Sequence, residues 1–86
     1  MPEVSRFLGI VIRMYFRDHD PPHFHVRYGS AAARVRIAPI GLLDGALPPR
    51  SLALAVEWAT LHQAELFDNW RRLRLKQAPL RIAPLE

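Results

Sequence analysis

The sequence contains no cysteine, which excludes disulfide bonds and thiolate metal sites. It also has no apolar run near the roughly 20 residues that a membrane helix needs. The apolar run over residues 7–12 is bracketed by Arg6 and Arg13, and no small-residue cleavage site follows it. We therefore expect a cytoplasmic protein that makes no contact with a membrane.

Lysine is nearly absent too, although the chain is strongly basic. Of its 12 basic residues only Lys76 is a lysine, and with 8 acidic residues the formal charge is +4. Guanidinium groups bind phosphate and carboxylate through two parallel hydrogen bonds. The composition is typical of a protein that binds phosphate or an acidic partner, and equally of a solvated surface, so the distribution of charge has to decide.

The chain is short but rich in apolar residues. Its 86 residues are 50% hydrophobic, which is enough for a core and argues against disorder. We expect one domain over residues 1–86. A domain of this size is modestly stable or depends on a partner, so a dimer or a heteromer is plausible.

Alternation of apolar and polar residues predicts three antiparallel strands at residues 9–17, 23–28 and 31–37. Residues 1–6 are interpreted as a lead-in, residues 18–22 as a proline-rich turn, and the segment after Pro39 as a loop marked by Gly41 and Gly45. The alternation predicts these inward side chains: Ile10, Ile12, Met14, Phe16, Phe24, Val26, Tyr28, Ala33, Val35 and Ile37.

Helical spacing begins after two prolines at positions 48 and 49. One apolar stripe predicts a single long helix. Gln63 interrupts the stripe, which is compatible with a bend or a break of the helix near residues 62–63. Trp58 and Trp70 are predicted to be core residues. The fold class is therefore α+β, with a sheet of three strands and one long helix on one face; residues 80–83 are a possible fourth, edge strand. The stripe consists of Leu52, Val56, Ala59, Gln63, Leu66, Trp70 and Leu73.

One helix covers only one face of such a sheet, so the other face is predicted to be open to solvent or to a partner. The alternation assigns no acidic residue to this face. It is suited to following a nucleic-acid backbone, whether RNA or DNA, or to binding a small acidic partner protein, and an inert surface stays open. The residues predicted there are Arg13, Tyr15, Arg17, His23, His25, Arg27, Arg34 and Arg36.

Three of the four histidines lie in one stretch, residues 18–25. His23 and His25 are two residues apart on a strand and so point the same way, a spacing that metal sites use. Asp18, Asp20 or His19 would supply a third ligand, which gives a two-histidine, one-carboxylate site for a divalent metal ion. Alternatively these histidines bond carboxylates or carbonyls and hold the turn, with no cofactor.

The same residues are compatible with catalysis. A histidine acts as a general acid or base near neutral pH, and neighbouring arginines hold a phosphodiester. His23 or His25 would be the acid–base group of a small ribonuclease. Whether the protein is an enzyme stays open at this point.

The motif Pro21-Pro22-His23-Phe24-His25, together with residues 2–10, 14–28, 47–50, 57–66 and Trp70, resembles an uncharacterised prokaryotic family, domain of unknown function 4160. The resemblance implies a small, bacterial, cytosolic protein. It further implies a gene arrangement similar to toxin–antitoxin pairs, and hence a protein partner. It assigns no catalytic residue.

Together these observations predict a small binding module of a toxin–antitoxin-like pair, which contacts nucleic acid or a partner protein through its basic open face. A ribonuclease using His23 or His25 and a metal-binding regulatory domain are the alternatives.

Overall fold

Five antiparallel strands lie side by side in the order in which they occur along the chain. The structure, a computed structural model, describes residues 2–85. The predicted α+β class with an antiparallel sheet is confirmed. The predicted number of strands, three or four, is wrong because there are five, and the predicted single long helix is wrong because there are two helices. The elements are β1 (Glu3–Phe7), β2 (Ile10–Arg13), β3 (His23–Tyr28), β4 (Ala31–Ile37), β5 (Ile40–Ala46), α1 (Pro49–Leu61) and α2 (Gln63–Arg74).

The first strand, β1, replaces the predicted lead-in. Met1 lies outside the described residues, and the rest of that prediction is wrong because β1 pairs with β2. A tight turn at residues 8–9, with positive φ at both positions, connects the two strands. The Phe7 side chain is buried, and its ring centroid lies 5.6 Å from that of Trp58. This burial keeps the segment in the sheet.

The second strand, β2, is shorter than predicted. It ends at Arg13, and although Met14 is still buried, Phe16 is 49% exposed, so its predicted inward position is wrong. The backbone turns at this point, since Asp18 N–H donates to the Tyr15 carbonyl at 3.4 Å. The chain therefore leaves the sheet before it reaches the predicted turn.

The strands β3 and β4 have the predicted bounds. Phe24, Val26 and Val35 are fully buried on the face that the helices cover. Tyr28 is 41% exposed at the end of β3, so its predicted inward position is wrong. Two residues, Gly29 and Ser30, connect the strands, as the sequence predicts.

The fifth strand, β5, lies where a loop is predicted, and that prediction is wrong. Residues 38–39 form a tight connection, after which β5 pairs with β4 along its length. Gly45 has φ +84° and passes so close to β4 that a Cβ there would lie 2.5 Å from the Ala32 carbonyl oxygen. Glycine at this position allows close strand contact rather than marking a loop.

The helical stripe is divided between two helices. His62, with φ −120° and ψ 25°, ends α1 and precedes α2, which confirms the break that Gln63 suggests. The Gln63 amide donates to the Ile37 carbonyl at 2.7 Å, so this polar residue fixes the helix junction to the end of β4.

Both helices contribute to a core on one face of the sheet. Trp58 and Trp70 are buried, as predicted, and the Phe24 and Trp58 ring centroids are 5.7 Å apart. Residues 80–83 form no strand, although Ile82 N–H donates to the Val4 carbonyl at 2.8 Å. Within residues 2–85, no helix has the length and apolar character needed to cross a membrane.

Candidate functional site

The sheet face opposite the helices, here called the outer face, carries one row of charged side chains across four strands. Arg13 on β2 pairs in register with His25 on β3, His25 with Arg34 on β4, and Arg34 with Asp44 on β5. Directly paired residues share a face of the sheet, so these four side chains are neighbours.

The outer face is concave along this row. A depression of about 330 Å³ lies over β2 to β5, and all four residues of the row line it. Small apolar residues, among them Val11 and Ala32, form its floor, and Tyr15 from the following loop lies at its edge. The remaining lining residues are Arg13, His25, Val26, Arg27, Ala33, Arg34, Asp44 and Gly45.

The prediction that this face carries no acidic residue is wrong. Asp44 lies on β5, a strand that the sequence analysis does not predict. It forms a bidentate ion pair with Arg34, in which Arg34 Nε donates to Asp44 Oδ1 at 2.8 Å. This hydrogen bonding lowers the pKa of Asp44 and raises that of Arg34. Arg34 is therefore partly neutralised, which reduces the positive charge of the row.

The other predicted arginines lie in different surroundings. Arg13 and Arg27 line the depression, and within residues 2–85 neither has an ion-pair partner. The Arg13 Nε is buried without a hydrogen-bond partner. Arg36 Nε donates to the Pro39 carbonyl at 3.1 Å, outside the depression. Arg17 is absent from the outer face, because the chain has left the sheet, and it lies with Leu73 at a separate surface pocket.

The turn after β2 folds towards the histidines. The Asp18 carboxylate lies 3.0 and 3.1 Å from His25 Nε2 and also accepts the Tyr15 backbone N–H at 3.2 Å. The Tyr15 ring packs edge-on against the His25 ring, with centroids 4.6 Å apart. The carboxylate and the phenol ring together fix the orientation of the His25 imidazole.

His23 is buried, contrary to its predicted position on an open face. Only 1% of it is exposed, because Trp70 of α2 packs over it with ring centroids 5.4 Å apart. His23 Nδ1 donates to the Pro21 carbonyl at 2.8 Å, since a carbonyl only accepts. The other nitrogen, Nε2, has no hydrogen-bond partner and lies 3.7 Å from Asp18 Oδ2.

Of the five residues that the sequence offers as candidate metal ligands, the structure brings three together and leaves Asp20 and His19 outside the cluster. Asp18, His23 and His25 each offer an atom within 4.8 Å of the others. Asp20 lies apart, 74% exposed at its side chain, and accepts a hydrogen bond from Arg74 at 2.9 Å. The turn therefore contributes one carboxylate to the cluster rather than two.

Sequence reasoning missed Asp44 and Trp70 as neighbours of the site. The apolar residues 40–43, which lie between Pro39 and Asp44, were the available indication of another strand. The Trp70 contact has no local indication, because it joins residues far apart in the chain.

The fold and the site define a small α+β protein with a basic, concave sheet face and, at its edge, a part-buried histidine–carboxylate cluster. The chain belongs to the family described as Domain of unknown function (DUF4160), whose model matches residues 9–71. The resemblance seen in the sequence is thus confirmed. Searches of curated proteins and of solved structures each found no match.

Proposed function

We propose that the protein is a cytoplasmic binding module that holds single-stranded nucleic acid on its outer face, as one member of a toxin–antitoxin-like pair. The observation that carries the proposal is the depression lined by Arg13 and Arg27, two guanidinium groups without an ion-pair partner in the described chain. Guanidinium groups in such a position bind phosphate bidentately.

The shape of the outer face favours a single strand over a duplex. Duplex DNA is usually contacted by an element that enters a groove, whereas unpaired bases lie flat on a sheet and stack on aromatic rings. Tyr15 and His25 supply rings beside the arginines, and Val11 and Ala32 supply an apolar floor. The depression, at about 330 Å³, lies in the range of ligand pockets, roughly 300–1,000 Å³.

The test is a salt titration of binding to labelled single-stranded RNA and, for comparison, duplex DNA. Arg27→Glu should weaken RNA binding about tenfold at low salt and reduce the salt slope by about 0.7, the share of one phosphate contact on a single strand. Arg50→Glu is the matched control, because Arg50 is an exposed arginine on α1 that does not line the depression.

Equal losses in the two variants, or no RNA binding by the wild type at low salt, would contradict the proposal. In that case the outer face would be an interface for an acidic partner protein, and the partner would become the object of the search.

A second candidate, a small ribonuclease, is favoured by the Asp18–His25 contact. A carboxylate that orients an imidazole is the arrangement of a general base, and His25 would accept the proton of the 2′-hydroxyl that attacks phosphorus. Water would protonate the leaving 5′-oxygen. His23 is less suited to this role because Trp70 buries it.

The RNA recovered from the titration distinguishes the two functions. Intact RNA supports the binding module alone. Cleavage that His25→Gln abolishes while binding persists would support the enzyme, and cleavage that survives this substitution would refute it. His62→Gln is the control, since His62 also bonds a carboxylate, with Nδ1 2.5 Å from Glu65 Oε1, but lies on the helical side.

A further inference from the structure

We infer that Asp18, His23 and His25 bind one divalent transition-metal ion, with two imidazole nitrogens and a carboxylate oxygen as ligands. The three ligand atoms lie within 4.8 Å of one another. The inference does not rest on nucleic-acid binding, because it is tested without nucleic acid, although His25 belongs to both sites.

The buried His23 imidazole is the first reason. Its Nδ1 donates to the Pro21 carbonyl, so in the neutral ring Nε2 carries a lone pair. That lone pair lies 3.7 Å from Asp18 Oδ2 and has no hydrogen-bond partner. Two acceptors that face each other away from bulk water repel, and a buried polar atom without a partner, here His23 Nε2, is costly. A cation between them removes both penalties.

The spacing of the ligand atoms is the second reason. Around a tetrahedral ion at about 2.0–2.1 Å from each ligand, neighbouring ligand atoms are about 3.3 Å apart. The Asp18 Oδ2 distances to His25 Nε2 and His23 Nε2 are 3.0 and 3.7 Å. The ligand nitrogens of the two histidines lie within 4.8 Å of each other. Side-chain rotation that brings them closer would place all three atoms on one ion, with His25 Nε2 giving its lone pair to the metal rather than a proton to Asp18.

Backbone groups already hold two of the three ligands in position. The Pro21 carbonyl fixes the tautomer and ring orientation of His23, and the Tyr15 N–H fixes the Asp18 carboxylate. Outer partners of this kind are a regular feature of metal-binding histidines and carboxylates. The turn between β2 and β3 thus supplies both a ligand and its supports.

The ligand types select the ion. Two imidazoles and one carboxylate suit Zn²⁺, Fe²⁺, Co²⁺ and similar ions, whereas Mg²⁺ and Ca²⁺ prefer oxygen ligands throughout. Three protein ligands leave at least one coordination position for water or for an oxygen of a bound molecule. His25 also lines the depression, so the ion would lie at the edge of the surface proposed to bind phosphate.

The test is a titration of chelator-stripped full-length protein with Zn²⁺ alone by calorimetry, with Co²⁺ absorption as an independent report of coordination. We expect one ion per chain and a higher melting temperature in the presence of metal. Asp18→Asn and His25→Gln should each weaken binding by at least about 100-fold, more than the 10–100-fold typical of losing an outer partner.

Two controls keep the test decisive. His62→Gln removes the other histidine–carboxylate contact of the described chain and should leave metal affinity unchanged. Circular dichroism is the check that the two ligand variants, whose side chains are part-buried rather than in the core, keep the wild-type fold. Unfolding of the wild type on chelation, reversed by Zn²⁺, would also support the inference.

Sub-stoichiometric binding, or equal affinity in wild type, Asp18→Asn and His25→Gln, would overturn the inference.

Discussion

At the scale of single residues, Glu3 joins two guanidinium groups from opposite ends of the chain. Arg6 Nη2 donates to its Oε1 at 2.8 Å, and Arg81 Nη1 donates to its Oε2 at 3.1 Å. Hydrogen bonds from Arg6 and then Arg81 lower the pKa of Glu3 from 4.5 to about 2. The carboxylate therefore stabilises the fold in a pH-dependent manner.

Because the folded pKa of Glu3 is the lower one, its contribution is fully present above about pH 5 and is lost as pH falls towards 2. We expect Glu3→Gln to be less stable than wild type at pH 6 and equally stable near pH 2, as measured by urea denaturation across this range. Glu57→Gln, which changes an exposed glutamate of α1, should show no such convergence. A stability difference that stays constant with pH would contradict the assignment.

At the scale of elements, the two glycines of β5 lie in different surroundings. Gly45 has φ +84°, and an added Cβ would lie 2.6 Å from Ala33 Cα, whereas Gly41 has open space around it. We expect Gly45→Ala to destabilise the protein by roughly 1–3 kcal/mol through strain and close contact with β4. Gly41→Ala should change stability by less than about 1 kcal/mol.

Chemical denaturation of the two variants provides the comparison. Equal effects of the two substitutions would mean that the close approach of β5 to β4 at Gly45 is not required. Asp44 lies one residue before Gly45, so the affinity of Gly45→Ala for RNA is a useful second readout of the outer face.

The elements also show what local sequence determines. Alternation over β3 and β4 predicts their bounds, because most of their side chains have a clear preference for core or solvent. The two ends of β3 depart from it, since His23 is buried and Tyr28 is exposed. Alternation fails for β5, where Gly41 and Gly45 resemble loop residues although Gly45 is required for close strand contact. In β1, polar Ser5 is buried at an irregularity of the pairing, which disrupts the period of two.

The candidate site, like the strands, is only partly determined by local sequence. Spacing predicts that His23 and His25 lie close together on one strand. It leaves the third member of the cluster open among three residues of the turn, because spacing does not determine which way a turn folds. Burial of His23 depends on Trp70, and neutralisation of Arg34 depends on Asp44, two contacts that arise only when distant elements pack. Long-range contacts of this kind have no periodic pattern in the sequence.

At the scale of the whole molecule, the segment after α2 connects both helices to β1. Buried Asn69 donates from Nδ2 to the Leu80 carbonyl at 2.9 Å and accepts the Leu80 N–H at 2.8 Å. Further along, Trp58 Nε1 donates to the Ala83 carbonyl at 2.9 Å. The segment is thus held by side-chain bonds to its backbone.

Asn69→Ala removes both partners of Leu80, and we expect it to destabilise the protein by about 1–3 kcal/mol and to speed carboxypeptidase digestion of the C-terminus. The neighbouring change Asp68→Ala affects an exposed side chain with one long contact to Arg71, and should stay within about 0.5 kcal/mol of wild type. Digestion at the wild-type rate in Asn69→Ala would contradict a fastening role for this residue.

The order of strands in the sheet also has a kinetic consequence. Every strand pairs only with its neighbours along the chain, and the longest connection inside the sheet is the turn over residues 14–22. Closing loops this short costs little conformational entropy, and proteins rich in such local contacts fold fast. Arg81 and Glu3, by contrast, are 78 residues apart. A folding chain would therefore assemble the outer face with its cluster early, and would join its two ends last.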